Sequence, residues 1–184
     1  MIASTQNSTC LALQAVLFVA DRPLTAKELA EYMDCATEDV SEAVRELESL
    51  LEDRSGLRLL KVAGGYQLAT KPEYAQSVSR YLKPARTRLS KTLMEVLSVV
   101  AYRQPVTSAQ IEEIRGVQSD YGLRELTDRG LIQEVGRATT PGRPILYGTT
   151  KQFLHSFLLD SLDELPQLPN QEQPALIADG GDSI

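Results

Sequence analysis

Val99-Val-Ala-Tyr-Arg-Gln-Pro-Val-Thr-Ser-Ala-Gln-Ile-Glu-Glu-Ile-Arg-Gly116 ends one helix, turns at Pro105 and caps the next at Thr107, which is the opening of a helix-turn-helix. Further along, Thr140-Pro-Gly-Arg-Pro-Ile-Leu-Tyr-Gly-Thr149 reads as a tight turn feeding an extended strand, as a wing requires. Together the two stretches predict a winged helix.

The same plan occurs earlier. Pro23-Leu24-Thr25 and Pro105-Val106-Thr107 each set a proline, an apolar residue and a threonine in one order, and each threonine stands three residues before Glu28 or Gln110. That spacing is a capping box, which satisfies orphan backbone donors at a helix start. Two such units imply an internal duplication. The fold class expected is therefore mainly α with small β-hairpins (α+β), in two tandem winged-helix domains. We place a flexible N-terminus at 1–9, the first domain at 10–82, a linker at 83–89, the second domain at 90–165 and a disordered tail at 166–184.

At 184 residues the chain holds two small cores and leaves no room for a larger enzyme scaffold. A net charge of -6 and a pI near 4.9 argue against strong general attraction to nucleic acid and for a protein partner. Cys10 and Cys35 form no short metal-binding or disulfide pattern, so a reducing cytoplasm is the expectation, with no metal and no cofactor. The apolar run from Cys10 to Ala20 is shorter than the ~20 residues a bilayer needs, so no membrane contact is expected.

From Cys10 the first helix is apolar on every side, with Gln14 its one polar residue before Asp21. One face serves its own domain and the other needs a partner. Leu13, Val16 and Leu17 are the residues assigned to a homodimer interface. The second helix spans Thr25 to Met33. A third begins at Thr37 and carries Val40, Val44, Leu47 and Leu51 at helical spacing. Residues 57–62, 63–65 and 66–69 read as strand, turn and strand, followed by a closing helix from Pro72 to Leu82. The second unit repeats the order, with helices from Ser90 to Tyr102, Thr107 to Ile114 and Ser119 to Arg129, a hairpin, and a last helix from Lys151 to Leu159.

Helix-turn-helix units suggest DNA, whose phosphates demand a basic third helix. Between Thr37 and Asp53, Arg45 stands alone against Glu38, Asp39, Glu42, Glu46, Glu48, Glu52 and Asp53. Arg124 and Arg129 in the second unit face Asp120, Glu125 and Asp128. Basic residues concentrate instead at Arg80, Lys83, Arg86, Arg88 and Lys91, around the linker. Catalysis has little to stand on. His155 lies in an apolar stretch with no nucleophile motif, Gly64-Gly65 lacks the context of a phosphate loop, and Glu112 and Glu113 point in different directions on one helix. The arginines at Arg115-Gly116, Gly136-Arg137 and Gly142-Arg143-Pro144 read either as turn chemistry or as a docking rim beside Tyr147.

Ala101-Tyr-Arg-Gln-Pro105, Ile111-Glu-Glu-Ile-Arg-Gly-Val117, Glu134-Val-Gly-Arg137 and Pro141-Gly-Arg-Pro-Ile-Leu-Tyr-Gly-Thr-Thr150 resemble the segregation and condensation protein B (ScpB) family of bacterial chromosome-condensing complexes, as does Leu13-Gln-Ala-Val-Leu-Phe18. The resemblance spans roughly residues 10–168. It implies a non-enzymatic homodimer paired through its first domain, binding the kleisin ScpA and reaching the SMC ATPase through ScpA, with DNA contact weak or indirect. Candidate kleisin-binding residues are Arg103, Arg115, Arg143 and Tyr147. The competing function is a DNA-binding regulator with tandem winged helices.

Overall fold

The computed structural model describes residues 2–82 and 89–167. Among them are eight α-helices and two small antiparallel sheets, arranged as two successive units. The first unit runs α1 (Ile2–Val19), α2 (Ala26–Met33), α3 (Thr37–Arg54), β1 (Leu57–Val62), β2 (Gly65–Thr70), a 3-10 turn at Pro72–Tyr74, and α4 (Ala75–Leu82). The second runs α5 (Lys91–Arg103), β3 (Val106–Thr107), α6 (Ser108–Arg115), α7 (Asp120–Asp128), β4 (Ile132–Arg137), β5 (Ile145–Thr149), α8 (Lys151–Phe157) and a 3-10 turn at Leu162–Glu164.

Both capping boxes form. The Thr25 N–H donates to Glu28 Oε2 at 2.8 Å and the Glu28 N–H donates to Thr25 Oγ1 at 3.3 Å. At the second site the Thr107 N–H donates to Gln110 Oε1 at 2.9 Å and the Gln110 N–H to Thr107 Oγ1 at 3.3 Å. Each helix start thereby satisfies two donors that α-helical bonding leaves orphaned. Glu28 also accepts from Arg22 at 2.7 Å.

The apolar stripe of α3 packs as its spacing predicts: Val40, Val44, Leu47 and Leu51 are all buried, against Cys10, Leu13 and Leu17 of α1 and Leu29 of α2. A second core gathers Leu93, Val96, Leu97 and Val100 of α5 with Ile111, Leu123, Leu126, Ile132 and Phe153. Hairpin β1–β2 turns on Ala63 (φ 54°) and Gly64 (φ 76°), the paired positive angles of a type I′ turn. Gly65 instead opens β2 and is needed for closeness: a Cβ there would stand 2.8 Å from the Leu24 carbonyl carbon. Leu24 and Tyr66 exchange two backbone hydrogen bonds at this spot, at 3.0 and 2.8 Å.

The duplication extends to that contact. Leu24 of the Pro-Leu-Thr segment bridges Tyr66, and Val106 of the Pro-Val-Thr segment pairs with Tyr147. In the second unit the bridge has grown into β3, giving a three-stranded sheet of order β3-β5-β4 that the sequence reading, with its two-stranded hairpin, does not contain.

Boundaries differ at two ends. The first helix starts at Ile2, not at Cys10 after a frayed 1–9, because no proline or glycine interrupts residues 2–20. The last helix stops at Phe157, not Leu159, since Leu158 turns left-handed (φ 57°) and the Leu159 N–H closes back on the Leu154 carbonyl at 2.9 Å. Most of the expected linker, with Lys83, Arg86 and Arg88, lies outside the described residues, as does the expected tail from Leu168 onward.

Candidate docking surfaces

In α1 two of the three residues expected to meet a second copy are turned inward. Leu13 and Leu17 are buried in the first core, and Val16 is half-buried against it. This corrects the assignment of Leu13 and Leu17: a side chain filling its own domain's core cannot also present area to a partner. The opposite face carries Leu11, Ala15, Phe18 and Val19, all exposed, with Phe18 at 76% and Val19 at 78%. Positions 11, 15 and 18 follow the i, i+4, i+7 rule and form one stripe. The sequence shows an over-apolar helix, but with apolar residues on every side it carries no signal for which face turns in.

In the second unit, the end of α5, β3 and the outer side of α6 enclose a groove of about 500 Å³ lined by Arg103, Pro105, Val106, Gln110, Glu113 and Ile114. Ile114 is exposed, as are Val117 on the α6–α7 turn and Tyr121 in the first turn of α7. Apolar surface with a cation on one side and Glu113 on the other can seat a helix or extended segment whose polar flank carries both signs.

The four candidate docking residues separate on inspection. Arg103 is exposed and lines the groove. Arg143 is exposed at the tip of the β4–β5 hairpin, with φ 42°, its N–H on the Thr140 carbonyl at 2.9 Å and its carbonyl accepting from Arg137 at 3.2 Å. Arg115 is not on a rim. Its side chain is 6% exposed, with Nη2 on Glu95 at 3.2 Å and Nη1 donating to Ser119 Oγ at 2.8 Å, while Glu112 accepts the Ser119 N–H at 2.9 Å. It therefore clamps α5 to the α6–α7 turn. The sequence marks an arginine at a helix end but gives no hint of Glu95, twenty residues earlier.

Tyr147 sits on the central strand β5, between Val106 and Glu134, half-buried against the second core. Burial, followed by the nearby Glu134 and Asp120 carboxylates, raises the pKa of its phenol. Tyr66, its counterpart in the first unit, is likewise packed against the core there. A position filled by the same residue in the same packing role in both units points to support of the hairpin.

Gln104 is the residue that sequence reasoning passed over. Its amide oxygen accepts the Thr149 N–H at 2.8 Å and its amide nitrogen donates to Thr149 Oγ1 at 3.0 Å and the Ala101 carbonyl at 3.3 Å. It fixes the α5–β3 turn to the end of β5, and so holds the groove wall.

Both cysteines are free thiols, and burial pushes both pKa values up. Among the described residues no group of three or more His, Cys, Asp or Glu side chains could hold a metal ion, and no helix is long and apolar enough to cross a membrane. Of the basic cluster, Arg80 and Lys91 are described and exposed.

A family model for the segregation and condensation complex subunit ScpB matches residues 11–168. The segregation and condensation protein B of Moorella thermoacetica is 48% identical over 158 residues, spanning 85% of this chain and 81% of that one. That of Symbiobacterium thermophilum is 43% identical over 173 residues, spanning 93% and 79%. A crystal structure of ScpB from Mycobacterium tuberculosis is 35% identical, covers 83% of this chain and 96% of that chain, and superposes with a TM-score of 0.40.

Proposed function

The chain belongs to the segregation and condensation complex subunit ScpB family, and from that premise we propose that it is a non-catalytic homodimeric subunit of a bacterial chromosome-condensing complex. On this reading it binds the kleisin ScpA, reaches the SMC ATPase through it, and works in the cytoplasm at the nucleoid. Each unit is a winged helix used for protein contact, its hairpin serving as the wing.

The observation that carries the dimer is the outer stripe of α1. Leu11, Phe18 and Val19 stand exposed on a helix whose other face is already spent on a core. Covering them across a two-fold axis stabilises by roughly 1.5 to 3 kcal/mol per large side chain before ordering costs.

For the kleisin the favoured surface is the Arg103 groove with exposed Ile114, extended by Arg143 at the hairpin tip. Tyr147 and Arg115 support that surface from behind. Calorimetric titration of ScpA into the full chain tests it. Ile114→Glu puts a charge on the apolar wall and weakens binding by at least about tenfold, a loss of ~1.4 kcal/mol, while the dimer persists. Unchanged affinity in a folded variant removes the groove from the docking site.

A further inference from the structure

The tips of the two hairpins are treated differently by the fold. That of β4–β5 is exposed, whereas that of β1–β2 is docked on the other unit. The Ala63 N–H donates to the Leu159 carbonyl at 2.8 Å and the Gly64 N–H donates to Asp160 Oδ1 at 3.1 Å. Lys61 Nζ pairs with Asp160 Oδ2 at 2.7 Å, and Gln67 Oε1 meets His155 Nε2 at 2.9 Å. In a two-residue hairpin the strand ladder does not use the N–H groups of the two central residues, so in a lone hairpin both face water. Here both are consumed by Leu159 and Asp160, just past the end of α8.

The receiving side is organised in advance. Asp160 follows the left-handed close of α8 and donates its own N–H to Glu164 Oε2 at 2.7 Å, so the second unit's last turn holds the carboxylate in place. Each carboxylate oxygen has one partner from the first unit, a lysine and a backbone N–H. The turn Ala63–Gly64 brings that N–H within reach because its backbone angles are positive at both residues.

We propose that the first hairpin is an interdomain clasp: its tip, closed by Lys61 and Asp160, fixes the second unit against the first and so sets the direction in which the Arg103 groove faces relative to the outer stripe of α1. The duplicated hairpin has thus been given two uses, one copy bound within the chain and one left at the surface. Opening the clasp changes the spacing of the two docking surfaces without unfolding either core. Charge pairing at one point makes it reversible.

Hydrogen exchange at single amides of the full chain, read by NMR, tests this. With the clasp closed, the amides of Ala63 and Gly64 exchange at least about tenfold more slowly than those of an open turn. The protection does not change on dilution, because the contact lies within one chain. Lys61→Glu sets two carboxylates against each other and both amides revert to the open-turn rate, while Val40 and Val100 in the two cores stay protected. Adding Asp160→Lys to Lys61→Glu restores the pair with its signs exchanged. Protection then returns at Ala63, whose acceptor is a backbone carbonyl, and not at Gly64, whose carboxylate acceptor is gone. Open-turn exchange at both amides of the wild type, protection that falls on dilution, full protection in Lys61→Glu, or no recovery at Ala63 in the double variant would each overturn the clasp.

Discussion

Tyr147→Ala separates support of the docking surface from membership of it. The ring is half-buried against the second core, on the central strand of a three-stranded sheet where its backbone pairs with Val106. An aromatic side chain presents on the order of 200 Å². Removing about half of that from a packed position, at about 25 cal/mol per Å², costs about 2.5 kcal/mol. For a unit of this size such a loss lowers the melting temperature by on the order of 10 °C. A thermal melt followed by circular dichroism reads this, and Tyr66→Ala shows a loss of similar size because its ring has the same place in the first unit. Tyr147→Phe keeps the ring and melts close to the wild type, since no protein partner of the hydroxyl is needed for the packing. If Tyr147→Ala melts within about 2 °C of the wild type yet loses ScpA binding, the ring is a contact residue and the reasoning fails.

Arg115→Ala breaks the clamp on Glu95 and Ser119 and costs about 2 kcal/mol of stability, seen as an earlier chemical denaturation midpoint, with ScpA affinity unaltered in the folded protein. Glu28 has its carboxyl pulled down to about 2, first by the Arg22 guanidinium and then by the Thr25 backbone and hydroxyl. Its folded-state pKa is depressed, so its contribution to the α2 cap is present above the ordinary carboxylate range and is lost as pH falls toward about 2, a titration that carbon-detected NMR of the side chain follows. Duplex DNA binds the isolated protein no more tightly than about micromolar at physiological salt, in line with non-specific contact. Fluorescence anisotropy checks this, and nanomolar sequence-specific binding would favour the regulator function.

Local chemistry was legible from the sequence, while side-chain orientation was not. The capping threonines and the α3 stripe are each decided within a few residues, and each forms where residue type and spacing place it, whereas the first hairpin turn falls at 63–64 with one of its two positive angles taken by Ala63 and with Gly65 already in the strand. The inward face of α1 is not legible because its apolar residues occur at every angle, so only contact with α3 selects Leu13 and Leu17. The choice between turn chemistry and docking rim at Arg115 is not legible for a related reason: its partner Glu95 belongs to another helix, and a turn arginine looks the same whether it faces water or a carboxylate. The strand β3 is two residues long, below what alternation can reveal. Gln104 and the Lys61–Asp160 pair depend on contacts across 45 and about 100 residues of chain, which no local pattern encodes.

The central claim is that the outer stripe of α1 joins two copies of this chain. Sedimentation equilibrium of Phe18→Asp beside the wild type, at micromolar concentration, tests it most directly. Phe18 is exposed in the single chain, so the substitution leaves the core intact and any change in mass reports the interface. The account predicts a dimer for the wild type and a folded monomer for the variant. A variant that remains dimeric with its stability unchanged would contradict it.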